Sequence, residues 1–142
     1  MTVRTSNASW SGDLKSGKGR MALGSGAWEG PFSFRTRFED EQGSNPEELI
    51  GAAHAGCFSM ALSNMLAEAG HPPDSVETQA HVHLEMGDEG PHIPRIELKV
   101  VARVPGLDQD GFLKHAEAAK AGCPVSKVLK GARIDLDAKL AS

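Results

Sequence analysis

A single apolar run constrains the fold of this chain more than any other feature. Residues 49–67 read LIGAAHAGCFSMALSNMLA and contain no Asp, Glu, Lys or Arg. Asn45 is a good N-cap residue, Pro46 suits the first helical position, and Gly70 favours a helix end. The run therefore predicts one helix over about residues 46–69 that lies at the centre of the fold and is covered on nearly all sides.

The run is also about as long as a membrane-spanning helix. Polar side chains interrupt it at His54 and Asn64, and Glu47 and Glu68 flank it without a basic cluster. Membrane helices rarely carry polar residues at such positions, and basic residues usually anchor their ends. We therefore interpret the run as the buried helix of a soluble protein with no membrane span.

Charge and the polar N-terminus narrow the possible function and location. The net charge is -4 at pH 7 and the sequence pI is about 5.8, which argues against a nucleic-acid partner because such proteins carry a basic stripe. The first residues, MTVRTSNASWSGD, lack the apolar stretch of a secretory signal, so we expect a cytoplasmic protein. Permanent disulfides are rare in that compartment, so Cys57 and Cys123 are inert thiols, metal ligands or redox-active groups.

The remaining sequence predicts an α+β fold, with antiparallel sheets packed on the long central helix. Alternating apolar residues predict three strands after the helix, and glycine turns separate short strands before it. PFSFRTRF, residues 31–38, also alternates as in a strand. We expect one domain over residues 1–142, divided into N-terminal strands (1–44), the central helix (about 46–69) and a C-terminal strand and helix part (74–142). The last part includes a helix at about residues 110–121 and a short helix from Pro124.

The two cysteines occupy different sequence environments. Cys57 lies in the middle of the apolar helix, where an isolated cysteine is usually a packing residue. Cys123 lies between Gly122 and Pro124, near the N-cap of the short helix, where free backbone N–H groups stabilise a thiolate. The spacing of 66 positions leaves open whether the two thiols meet. If they meet, they form a peroxidatic and resolving pair.

Two separated blocks around these cysteines resemble a known family. NPEELIGAAHAGCFSMAL, residues 45–62, and AGCPVSKVL, residues 121–129, are similar to the OsmC/Ohr family of organic hydroperoxide reductases. The resemblance extends over nearly the whole chain, including the Trp-x-Gly-Asp stretch at residues 10–13. TRFEDEQGSNPEEL, residues 36–49, places the chain closer to the OsmC branch than to the Ohr branch.

The resemblance implies a thiol-dependent peroxidase that reduces organic hydroperoxides to alcohols. Cys57 matches the cysteine that attacks the peroxide and becomes a sulfenic acid, and Cys123 matches the cysteine that resolves it as a disulfide. Arg37 matches the arginine that holds the reactive thiolate, and Glu47 matches the glutamate that orients this arginine. The family further implies an intertwined homodimer, an external dithiol reductant such as a lipoylated protein, and no bound metal or prosthetic group.

These residue types suit the chemistry. A thiolate attacks the O–O bond, and burial in an apolar helix raises a thiol pKa, so Cys57 needs a permanent cation such as Arg37. Glu47 is suited to fix the guanidinium by a bidentate contact. On one straight helix, however, Glu47 lies ten positions from Cys57, or about 15 Å along the axis. Either the helix breaks near Gly51, or Glu47 serves Cys57 of the other subunit.

Several alternatives remain open from the residues alone. Arg35 competes with Arg37, because both point to the same side if the segment is a strand. His54 lies three positions before Cys57 and can form a Cys–His hydrolase pair. His81 and His83 share a strand face, although solvent-facing histidines explain them better than metal ligands. A non-enzymatic interpretation is a dimeric stress or small-ligand-binding protein with inert cysteines.

Overall fold

The computed structural model describes residues 1–141, in two compact units that meet in the sequence at Leu49 and Ile50. The first unit contains β1 (Ser6–Ser11), β2 (Lys18–Leu23), β3 (Glu29–Phe32) and α1 (Phe34–Phe38). The long helix α2 (Pro46–Glu68) begins in the first unit and continues into the second. The second unit adds β4 (Ser75–Gly87), β5 (Gly90–Arg103), α3 (Gln109–Gly122), α4 (Pro124–Val128) and β6 (Arg133–Leu140). The α+β class predicted from the sequence is confirmed.

The first unit contains a three-stranded antiparallel sheet in the order β1-β2-β3. Gly19 in the central strand pairs with Trp10 on one side and Phe32 on the other. The two aromatic rings meet across it with centroids 5.3 Å apart. A Cβ atom on Gly19 would lie 2.6 Å from both rings, so glycine is required for this aromatic pair to form.

The segment after β3 is helical, so the prediction of a strand through residues 34–38 is wrong. Ser33 caps α1: its hydroxyl accepts from the Thr36 N–H at 3.2 Å, and its own N–H donates to the Thr36 hydroxyl at 2.8 Å. This capping box favours a helix start and overrides the alternation of the phenylalanines. Because positions two apart on a helix point to different sides, Arg35 and Arg37 reach different partners.

The second sheet is mixed, so the expectation that both sheets are fully antiparallel is wrong for this one. β4 and β5 form an antiparallel hairpin, and β6 pairs with β5 in parallel. The helices α3 and α4 lie between β5 and β6 in the sequence and return the chain to the end at which β5 began. A crossover of this kind produces a parallel pair, whereas a tight turn produces an antiparallel one.

The core of the second unit lies between this sheet and the helices. The alternation predicted for the strands is confirmed in β5, since every second residue faces inward: Ile96, Leu98, Val100 and Ala102 are at most 1% exposed. The alternating apolar residues of β6 belong to or pack against the same core: Ile134, Leu136, Ala138 and Leu140. From the helices the core receives Phe58, Leu62 and Leu66 of α2 and Phe112, Ala116 and Ala119 of α3. Their spacing of three and four positions places each set on one helix face.

One face of α2 is exposed in the described chain, and cover on nearly all sides stays a prediction that depends on a second copy. Met60 is 76% exposed, and 28% of the most apolar window of the helix is buried. This helix is long and apolar enough, with a mean hydropathy of 1.3, to span a membrane by length and composition. Its other face, with Phe58, Leu62 and Leu66, belongs to the core.

The helix is also continuous from Pro46 to Glu68, so the suggested break near Gly51 is wrong. Gly51 is buried, and a Cβ atom there would lie 3.4 Å from a Val82 methyl group of β4. A Cβ atom would thus make an ordinary van der Waals contact at this position, and the glycine does not bend the helix.

Candidate active site

The structure brings the two cysteines into contact. Cys57 lies on α2, and Cys123 forms both the C-cap of α3 and the N-cap of α4. Their sulfur atoms are 2.7 Å apart, and neither is in a disulfide. A disulfide bond requires about 2.05 Å, so a movement of less than about 1 Å would close the bridge. Cys123 is fully buried, whereas Cys57 is partly exposed.

The surroundings of Cys123 favour its thiolate. Burial opposes ionisation, but hydrogen bonds from Cys57, from the Ser126 N–H and hydroxyl, and from the Val125 N–H outweigh it and lower the pKa of Cys123. The free N–H groups exist because the first turn of α4 has no earlier helical carbonyls to bond. The predicted N-cap position of Cys123 is confirmed.

The surroundings of Cys57 instead disfavour its thiolate. Burial raises the pKa of Cys57, the hydrogen bond to Cys123 raises it further, and the Val125 N–H offsets part of this rise. Either sulfur can donate in the contact between the two thiols, and the groups around Cys123 decide the order of ionisation. Within the described chain the local hydrogen bonds therefore favour the thiolate of Cys123 over that of Cys57.

Ser126, which bonds the Cys123 sulfur, makes a further hydrogen bond to His54. The Nε2 atom of His54 is 2.7 Å from the Ser126 Oγ, and both side chains are buried. Burial lowers the pKa of His54, so the imidazole is neutral near pH 7. The hydrogen bond of His54 goes to Ser126, so the Cys57–His54 pair of the hydrolase alternative is not formed. Sequence reasoning missed Ser126, although its position three residues after an N-cap cysteine was a usable signal.

The predicted arginine and glutamate form a bidentate pair in the first unit. Arg37 Nε donates to the two carboxylate oxygens of Glu47 at 3.0 and 3.2 Å, and Nη2 donates to Oε1 at 2.7 Å. Glu47 lies in the first turn of α2 and is 7% exposed. The Arg37 guanidinium also lies 5.4 Å from the centre of the Phe38 ring. The carboxylate thus fixes the position of the guanidinium while 35% of the arginine side chain stays exposed.

The competing candidates have different partners. Arg35 forms surface ion pairs with Glu39 at 3.3 Å and Glu41 at 3.6 Å. His83 contacts Glu97 at 2.7 Å, and His81 contacts Gln79 at 3.2 Å. Across residues 1–141, no group of three or more His, Cys, Asp or Glu side chains is placed to hold a metal ion.

A helical cysteine in contact with a second cysteine at a helix N-terminus defines a thiol-redox site on an α+β scaffold. The family model for OsmC-like proteins matches residues 39–138, which include both cysteines and Glu47. Peroxiredoxin OsmC of Escherichia coli (strain K12) is 54% identical over 144 aligned residues that cover all of both chains. The chain therefore belongs to the OsmC-like family.

The Ohr proteins are more distant relatives. Organic hydroperoxide resistance protein OhrB of Bacillus subtilis (strain 168) is 34% identical over 102 residues, which cover 72% of this chain and 71% of that protein. The crystal structure of Bacillus subtilis OhrB superposes with a TM-score of 0.73 at 25% identity. This match covers 96% of the present chain and 98% of the other. The greater identity to the OsmC protein agrees with the branch indicated by residues 36–49.

Proposed function

We propose that this chain, a thiol-dependent peroxidase of the OsmC-like family, reduces organic hydroperoxides through attack by Cys57 and closure of a Cys57–Cys123 disulfide. The observation that carries the proposal is the 2.7 Å separation of the two sulfur atoms. A sulfenic acid formed on one of them would lie within immediate reach of the other. The names of the relatives, peroxiredoxin OsmC and organic hydroperoxide resistance protein OhrB, support the same reaction.

The proposed reaction has two chemical steps on the protein. The Cys57 thiolate attacks one oxygen of ROOH, the O–O bond breaks, and the departing alkoxide takes a proton to give the alcohol and a Cys57 sulfenic acid. The Cys123 thiolate then attacks the Cys57 sulfur, and the hydroxyl group leaves with a proton as water. An external dithiol, such as a lipoylated protein, reduces the disulfide by exchange and completes the cycle.

The proposal assigns Arg37 to the ionisation of Cys57. Within its own surroundings Cys57 has a raised pKa, so a cation is needed to shift the shared proton toward Cys123. Arg37 is suited because it is always charged and Glu47 already holds it in a fixed orientation. In this role Glu47 is a positioning residue. The proposal leaves open whether the pair acts in its own subunit or across a dimer.

A homodimer is part of the proposal. The open face of α2, with small residues around Met60, offers an apolar surface that a second copy would cover. We also propose that the chain acts as one domain in the cytoplasm, without a prosthetic group. These statements follow from the family resemblance and the sequence.

The experiment adds one equivalent of tert-butyl hydroperoxide to the fully reduced protein. Free thiols are counted before and after, and mass spectrometry of the non-reduced peptides identifies the products. We expect both thiols to disappear into a Cys57–Cys123 disulfide, with one equivalent of tert-butanol released. The Cys123→Ser variant should stop at a Cys57 sulfenic acid that a dimedone probe traps. Two unreacted thiols in the native protein would instead favour the non-catalytic binding protein.

A further inference from the structure

His54 is a buried polar side chain that the proposed reaction does not use. It is fully buried on α2, and its Nδ1 atom has no hydrogen-bond partner within residues 1–141. Burying an imidazole with one unpaired nitrogen costs stability that an apolar side chain would not. The hydrogen bond from Nε2 to the Ser126 hydroxyl is therefore the contact that distinguishes His54 from an apolar residue at this buried position.

The direction of that hydrogen bond follows from the proton count of the serine. A hydroxyl donates one hydrogen bond, and the Ser126 side chain bonds to the Cys123 sulfur in the sense that stabilises the thiolate. Its only proton is thus directed at Cys123, and its oxygen accepts from His54 Nε2–H. This leaves Nδ1 as an unpaired acceptor, which proteins tolerate better than a buried unpaired N–H.

We propose that His54 is a positioning residue for Cys123, acting through the Ser126 hydroxyl, which it orients toward the sulfur atom that closes the disulfide. The chain of donors runs from His54 Nε2–H to Ser126 Oγ–H to Cys123 Sγ. Each donor orients the next, and polarised hydrogen bonds in a buried chain strengthen one another. The inference rests on the proposed function, since it concerns the speed of the second chemical step.

The chemical consequence is protection of the attacking cysteine. A sulfenic acid that waits for a partner can be oxidised again to an irreversible sulfinic acid. A resolving thiol must be ionised to attack, and the Ser126 hydroxyl favours loss of the Cys123 proton once Cys57 has become a sulfenic acid. This relay of hydrogen bonds, from His54 through Ser126 to Cys123, thus shortens the lifetime of the Cys57 sulfenic acid.

The test compares four variants in single-turnover mixing with one equivalent of tert-butyl hydroperoxide. Ser126→Ala removes the hydroxyl, and His54→Leu removes the imidazole donor; each should slow disulfide closure about tenfold, as for loss of a hydrogen bond to a charged group. His54→Gln places an amide N–H near the former Nε2 position and should restore most of the rate. His54→Asn places its amide near the Nδ1 position and should stay slow.

A matched control is available on the same helix. The Ser59 hydroxyl lies 2.7 Å from the Thr78 hydroxyl, away from the thiol contact, so Ser59→Ala removes a similar hydrogen bond. We expect this variant to close the disulfide at the native rate. Equal closure rates in native protein, Ser126→Ala and His54→Leu, all folded by circular dichroism, would overturn the relay. An equal loss of rate in the His54→Gln and His54→Leu variants would reduce His54 to a packing role.

A second readout separates failure of the relay from failure of the proposed function. Cysteine 13Cβ chemical shifts report the ionisation of each thiol in the reduced protein without peroxide. The titratable neighbours His54 and Cys57, both on α2, are followed in the same titration. Ser126→Ala should raise the pKa of Cys123, and an unchanged pKa would refute the relay. If the native protein forms no disulfide with peroxide, the proposed function fails, and this titration still decides the relay.

Discussion

The middle of α2 and the start of α4 each hold one cysteine, and the two positions shift the pKa of the thiol in opposite directions. Inside α2 the backbone N–H groups are already bonded to carbonyls of the preceding turn, so Cys57 gains little compensation for burial and its pKa rises. At the start of α4 the N–H groups of Val125 and Ser126 are free to bond the Cys123 sulfur, and its pKa falls although it is more deeply buried. Position within a helix, more than depth of burial, therefore decides whether the local hydrogen bonds of a cysteine favour its thiolate.

The largest expected effect comes from exchanging the sulfur atoms for oxygen one at a time. Cys57→Ser removes the proposed nucleophile and should lower peroxidase turnover by more than about 1,000-fold, as for loss of a nucleophile in other enzymes. Cys123→Ser should still consume one equivalent of peroxide and then stop. Consumption of tert-butyl hydroperoxide with a dithiol reductant measures both. If Cys57→Ser retained the first turnover and Cys123→Ser lost it, the roles of the two cysteines would be reversed.

A smaller effect is expected from removing the cation assigned to Cys57. Arg37→Ala should lower kcat/KM for the hydroperoxide about 100-fold, the usual cost of losing one donor that stabilises a reacting anion. Steady-state peroxidase kinetics check this value, and Arg37→Lys tests the need for the bidentate fork with Glu47.

Arg35→Ala is the matched control for this prediction. Arg35 lies two positions away on the same short helix and forms exposed ion pairs with Glu39 and Glu41, so its loss should change the rate less than about twofold. Equal losses of kcat/KM in the two alanine variants would show that the total positive charge of α1 matters and that the position of Arg37 does not.

The smallest and most direct effect is the order of ionisation itself. In the Arg37→Ala variant, which lacks the proposed cation, the lowered pKa of Cys123 means that this thiol loses its proton at a lower pH than Cys57 as the pH is raised. Cysteine 13Cβ shifts recorded between acidic and alkaline pH should show this order. Ionisation of Cys57 first in this variant would contradict the effect of the local hydrogen bonds, and ionisation of Cys123 first in the native protein as well would contradict the role proposed for Arg37.

The sequence was a good guide where the signal is local and a poor one where two local signals compete. The caps of α2, the alternation of β5 and the helix start after Cys123 were all predicted, because each depends on neighbouring residues. The segment at residues 34–38 was misread, since the capping box of Ser33 and Thr36 outweighed the alternating phenylalanines. The parallel pairing of β6 was also missed, because strand direction depends on the path of the whole crossover.

The sequence by itself determined the α+β class and the single long helix, and its resemblance to a known family directed attention to Cys57, Cys123, Arg37 and Glu47. Only the tertiary structure decided that Cys57 and Cys123 touch, that Arg37 and Glu47 form a fork, and that His54 bonds Ser126 instead of Cys57. Residue types and helix caps are encoded within a few neighbouring positions. Contacts between residues 66 or 72 positions apart depend on how helices and strands pack, which no short stretch of sequence specifies.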